Sequence, residues 1–168
     1  PKGIGFFYAS RMDFDSYLHG GDQEQKKRAG TENLAAIVGM VAALKEDLEK
    51  QEEHFQHVQN LETAFLAELE DIQYYLNRGE HHLPYVLNIG FPGQKNDLLL
   101  LRLDLAGISI STGSACTAGI VQSSHVLEAM YGANSERLKE SVRISFSPQN
   151  TVEDLQTLAK TLKEIIGG

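Results

Sequence analysis

The chain has 168 residues, 42% of them hydrophobic, enough for one domain with its own core or one domain plus part of another. A formal charge of −8 argues against broad nucleic-acid binding, which needs clustered Lys and Arg against the phosphate backbone. No apolar run reaches the roughly 20 residues that cross a bilayer, and the opening Pro1-Lys2-Gly3-Ile4-Gly5 lacks the layout of a signal peptide, so a cytoplasmic location is expected.

In chain order, Gly3 to Ala9 predicts a short apolar strand with no preceding element to pair with, and the first 20 or so residues are expected to belong to another domain. Residues 18–31 hold Gly20, Gly21 and Gly30 among charges and predict a loop. From about Asn33 to Ile72 the spacing is helical, as two helices or one bent one. Leu34, Ile37, Val38, Val41, Leu44 and Leu48 form one stripe; Phe55, Val58, Leu61, Phe65, Leu69 and Ile72 form another.

Beyond the turn at 79–84, Tyr85 to Phe91 predicts a strand, and Leu98 to Leu105 a short helix stopped by Gly107. Ile108 to Ser111 predicts a further strand, followed by a loop of small residues from Thr112 to Gly119. Ser123 or Ser124 is placed to cap a helix ending at Gly132. Ser141 to Ser147 alternates as a strand, and Thr151 with Asp154 resembles a capping box opening the last helix, striped by Val152, Leu155, Leu158, Ala159, Leu162, Ile165 and Ile166. The expected fold is a small α/β or α+β layer domain, with about three strands packed against helices behind a long helical connector.

The only cysteine, Cys116, cannot form an internal disulfide; it is either an inert small residue or a thiol kept for its reactivity. Its small neighbours Gly113, Ser114, Ala115, Thr117 and Ala118 offer little bulk to bury it, and exposure is what a nucleophile needs. Arg143 falls on the polar side of its strand, where a guanidinium fork can grip a substrate carboxylate or simply lie in solvent. Arg28-Ala29-Gly30-Thr31-Glu32-Asn33 closes a loop and opens a helix, so Thr31 is either an ordinary cap or a phosphate contact. His54 and His57 share a helix face without completing a metal site, and no metal is expected; His81 and His82 need no functional account. His125 alone among the histidines is placed to approach Cys116, with packing as its alternative role.

Four segments in order, Pro1-Lys2-Gly3-Ile4-Gly5, Gly20 to Asn33, Ser111-Thr112-Gly113-Ser114-Ala115-Cys116 and Ser141 to Phe146, resemble the cysteine desulfurases of the nitrogen-fixation and iron–sulfur-cluster type. These belong to the class V aminotransferases, pyridoxal-phosphate enzymes of fold type I. The resemblance implies a homodimer in which Cys116 takes sulfur from L-cysteine as a persulfide, releases alanine, and delivers sulfur to an acceptor protein for iron–sulfur clusters or tRNA thiolation. It implies that Arg143 binds the substrate carboxylate, that Asn88 lies near the substrate, and that Thr31 contacts the cofactor phosphate of the partner subunit.

It further implies that residues 1–31 end the large cofactor-binding domain, and that 32–168 form connector helices and the C-terminal small domain. The Schiff-base lysine is expected just before Pro1, Lys2 being the lysine after it, so the chain as given is expected to be an inactive part of a longer enzyme. Departures from the family pattern are Asp22, Lys27 and Ser147-Pro148. Alternatives left open are a selenocysteine lyase, another class V aminotransferase, or a non-catalytic dimerisation or sulfur-relay domain. Neither a nucleic acid nor a membrane is an expected partner.

Overall fold

Glycine punctuation governs the first part of the chain. The computed structural model describes residues 2–113 and 124–167, and the chain divides into two units, Pro1–Gln51 and Glu52–Gly168. In the first, the strand expected over Gly3 to Ala9 is not formed: Phe6, Phe7 and Tyr8 are 71%, 77% and 81% exposed. A strand is held by cross-strand pairing, and no partner strand for it exists among the described residues.

The glycine loop contains α1 (Gln23–Lys26), a single turn in which Glu24, Gln25 and Lys26 lie in the left-handed region with φ of 49°, 55° and 65°. Such residues cost about 1–2 kcal/mol each. Hydrogen bonds hold the turn in place, from Gly30 N to Gln23 Oε1 (3.2 Å) and from Ala29 N to Leu18 O (3.1 Å). Gly21 lies close beside it: a Cβ there would stand 2.4 Å from Gln23 Oε1, so the Gln23 side chain would have to move.

Helix α2 (Leu34–Glu49) follows, and its cap is Asn33, whose Oδ1 accepts from Ala36 N at 3.1 Å. This corrects the capping role weighed for Thr31. A cap accepts from the amide two or three residues on, and Thr31 lies two residues too early. The apolar stripe of α2 remains largely uncovered, with Leu34, Val38 and Leu48 at 70%, 69% and 62% exposure.

A break at Lys50 separates α2 from α3 (Gln51–Glu68), the first of the two helical arrangements expected. The second unit then runs β1 (Tyr75–Leu76), β2 (Val86–Gly90), α4 (Asn96–Leu105), α5 (His125–Tyr131), α6 (Arg137–Glu140), β3 (Ser141–Ser145) and α7 (Val152–Gly167). The sheet has the order β1-β2-β3, antiparallel throughout. Leu87, Ile89, Val142 and Ile144 present its apolar face to Val58, Leu61, Phe65 and Leu69, to Leu99 and Leu103, and to Leu155, Leu158, Ala159 and Leu162. Phe65 and Phe146 meet edge-on across this core, centroids 6.3 Å apart.

Two strand assignments change. The third strand of the sheet is the pair Tyr75–Leu76, too short to show a period in sequence, and not the segment 108–111. There, Ile108 N donates to Leu103 O (2.9 Å) and closes the end of α4, while Ile108 and Ile110 pack on the core. Only Ser111 pairs, as an isolated bridge to Arg143. Two further caps behave as read: Ser124 Oγ accepts from Leu127 N, and Thr151 and Asp154 form a reciprocal capping box at 2.9 and 3.2 Å. Val152 is the exception in the last stripe, 43% exposed at the first turn.

Candidate active site

Strand period two gives the sheet a polar face opposite the core. On it Arg143 and Asn88 are cross-strand partners, so their side chains leave the sheet side by side. On the other edge of β3, Ser111 exchanges both backbone hydrogen bonds with Arg143, at 2.6 and 3.0 Å. Its hydroxyl accepts from Arg143 Nε at 3.0 Å. The guanidinium is therefore pinned at Nε and half-buried, and neither Nη atom has a hydrogen bond or ion pair among the described residues. A cation fixed in this way is a fork open to a carboxylate.

Asn88 is held by a relay that sequence reading did not detect. Asn77, 8% exposed, donates from Nδ2 to Asn88 Oδ1 and to Ser141 Oγ, each at 2.8 Å, and its Oδ1 accepts from Arg137 Nη1 at 2.8 Å. Arg137 lies between two aromatic rings, 4.1 Å from the centroid of Tyr75 and 4.4 Å from that of Tyr131. Tyr75 donates to Glu140 Oε2 at 3.1 Å, and Glu140 Oε1 accepts from Gly93 N at 2.7 Å. Burial first, and the bond to Glu140, hold the Tyr75 phenol above its ordinary value of 10.0 against the opposing pull of Ser141 and Arg137, so it remains a neutral donor. Gly90 makes room for that ring: a Cβ there would lie 2.3 Å from it. A glycine inside a strand is the one sequence signal that marks this close approach.

Thr31 belongs to the first unit. It is exposed, and its hydroxyl has no hydrogen bond among the described residues. It sits one residue after Gly30 (φ 107°), whose carbonyl accepts from Arg28 Nη1 at 3.2 Å, and two before the cap of α2. A free hydroxyl ahead of a helix of 16 residues suits anionic oxygens, so these residues fit a phosphate. Cys116 lies outside the described residues, which resume at Ser124.

Two of the histidines have hydrogen-bond contacts among the described residues. His57 Nε2 is 2.9 Å from Asn150 O, and His82 Nε2 is 2.9 Å from Arg78 Nη1, whose guanidinium is paired with the buried Glu62. His54 and His57 line an open cleft of about 580 Å³ with Glu53, Gln56, Asn60 and Pro148. No cluster of three metal-ligating side chains occurs among the described residues, and no helix there is long and apolar enough to cross a membrane. His125 is exposed at the start of α5.

A small antiparallel sheet backed by helices, with the Arg143 guanidinium on its polar face, defines an α/β domain. Residues 1–158 match the family model described as aminotransferase class-V, and the chain belongs to that family. Over 99% of its length it is 46% identical to the putative cysteine desulfurase IscS 1 of Bacillus subtilis, covering 45% of that protein. It is 35% identical to the cysteine desulfurase IscS of Dictyoglomus turgidum, covering 43%. Among solved structures, a NifS-like protein from Rickettsia africae superposes on 92% of the chain and 40% of its own length, with a TM-score of 0.78 and 29% identity. The chain thus spans less than half the length of the curated relatives it matches.

Proposed function

We propose that this chain is the C-terminal part of a pyridoxal-phosphate-dependent cysteine desulfurase, converting L-cysteine to L-alanine and leaving the sulfur as a persulfide on Cys116. The observation that carries the reading is the Arg143 guanidinium, fixed through Nε by Ser111, without a partner at either Nη atom among the described residues, and paired across the sheet with Asn88. Arg143 would take the substrate carboxylate by two parallel hydrogen bonds, with Asn88 Nδ2 as an additional donor. Cys116 follows Ser111 by five positions along the chain, a tether of at most about 18 Å when extended. The thiolate of Cys116 would form the new sulfur–sulfur bond as the carbon–sulfur bond of the substrate breaks. The proton of the thiol balances the hydrogen gained by alanine.

Thr31, beside Gly30 at the start of α2, would hold the cofactor phosphate of the partner subunit in a homodimer. When bound, pyridoxal phosphate supplies the electron sink for the chemistry. Its covalent anchor is assigned to none of these residues. On the same reading residues 1–31 close the large cofactor-binding domain and 32–168 are connector and small domain. The enzyme is cytoplasmic and passes its sulfur to an acceptor protein serving iron–sulfur clusters or tRNA thiolation.

The decisive experiment is Cys116→Ala in the full-length protein. Persulfide formation should be abolished while the cofactor absorbance is intact; sulfur transfer surviving the substitution would refute the assignment.

A further inference from the structure

Resting on the substrate site proposed above, we infer that Arg137 is a positioning residue that fixes which end of the Asn88 amide faces the substrate. The argument is one of hydrogen-bond polarity. A guanidinium can only donate. With Arg137 Nη1 2.8 Å from the Asn77 amide, the end of Asn77 facing it must be Oδ1. The Nδ2 of Asn77 is then directed to Asn88 and to Ser141, 2.8 Å from each acceptor. Asn88 can receive that hydrogen bond only on Oδ1, which leaves its own Nδ2 as the open donor next to Arg143, with no partner among the described residues.

Among the described residues, Arg137 is the one hydrogen-bond partner of these two amides that can only donate. Ser141 Oγ can donate as well as accept, and two amides facing each other can reverse together without losing their mutual hydrogen bond. Reversed, Asn88 would place Oδ1 on the polar face, where it would repel a carboxylate and attract Arg143. Arg137 is well suited to hold the polarity, because Tyr75 and Tyr131 restrain its plane from both sides, with its Cζ 4.1 and 4.4 Å from their ring centroids.

The test is steady-state kinetics of the full-length enzyme with L-cysteine. Arg137→Met should raise KM about 10-fold or more, the loss of one charge-assisted hydrogen bond, with kcat within about twofold. Arg137→Lys, also a pure donor, should recover most of the affinity. Asn77→Asp offers only acceptors to Asn88 and forces the reversal while keeping a partner for Arg137. It should therefore raise KM as Arg137→Met does, without lowering the unfolding temperature as a merely structural lesion would.

Unchanged KM in Arg137→Met, or in Asn77→Asp, would overturn the inference. So would failure of Arg137→Lys to rescue. Arg143→Met, run alongside, separates the two levels. If it leaves KM unchanged, the substrate site itself is wrong; if it raises KM while the Arg137 and Asn77 variants do not, only the positioning role falls.

Discussion

Arg143 is legible in the sequence because a strand has period two: Val142, Ile144 and Phe146 claim one face and leave Arg143 on the other. Asn88 follows by the same rule on β2. Replacing Arg143 by Ala in the full-length enzyme should raise KM for L-cysteine about 10- to 100-fold, from the loss of a charge-assisted pair, with a smaller change in kcat. Steady-state kinetics would check this, and an unchanged KM would count against the carboxylate clamp. Asn77 and Arg137 were not legible, since they lie sixty positions apart, joined by one 2.8 Å hydrogen bond that no local pattern encodes. Gly90 carried a readable hint that needed the structure for its meaning. A methyl group there, 2.3 Å from the Tyr75 ring, must displace the ring that supports Arg137. Gly90→Ala should lower stability by about 1–3 kcal/mol in denaturant unfolding, the ordinary range for overpacking.

At the scale of elements, helix ends were read more accurately than short strands. Caps are local: Thr151 and Asp154 are three residues apart and satisfy each other's amides in the structure as their spacing implies. Thr151→Ala should cost about 1 kcal/mol, read by thermal or denaturant unfolding. The Thr151 amide, first among its partners, holds the Asp154 carboxyl below its ordinary value of 3.8. A folded pKa depressed in this way stabilises the fold above the unfolded value, and that contribution is lost as pH falls through the folded one. Stability should therefore drop below about pH 4, and Asp154→Asn should remove its share of that dependence. Asp71, lowered chiefly by its hydrogen bond to Lys163, titrates in the same window, so the comparison is between variant and parent across the pH series. The strand expected over 108–111 and the one missed at Tyr75–Leu76 fail for a single reason. A strand is defined by its neighbour, and the neighbour of each is remote in sequence.

For the whole molecule, burial separates the two units. Every buried core hydrophobic among the described residues lies between Val58 and Leu162, and none lies in the first 51. Residues 52–168 alone should therefore unfold in one cooperative transition, whereas residues 1–51 should show none by circular dichroism on heating. Loss of cooperative folding in the longer piece would indicate that its core depends on the first unit. The α2 stripe illustrates how far periodicity reaches. It marks an apolar face correctly, but a stripe states only that a surface is suited to burial, and Leu34 and Val38 remain open to solvent here.

By itself the sequence determined what depends on neighbours within a turn or a pleat: the helix periods, the caps, the alternation that sets Arg143 and Asn88 on a polar face, and the motifs that mark the family. Only the tertiary structure decided which strand borders which, that Ser111 pins Arg143, that three consecutive residues of α1 wind left-handed, and that Arg137 donates to Asn77. Those outcomes arise from hydrogen bonds and packing between residues far apart in the chain, whose free energy exists only once the chain has brought them together.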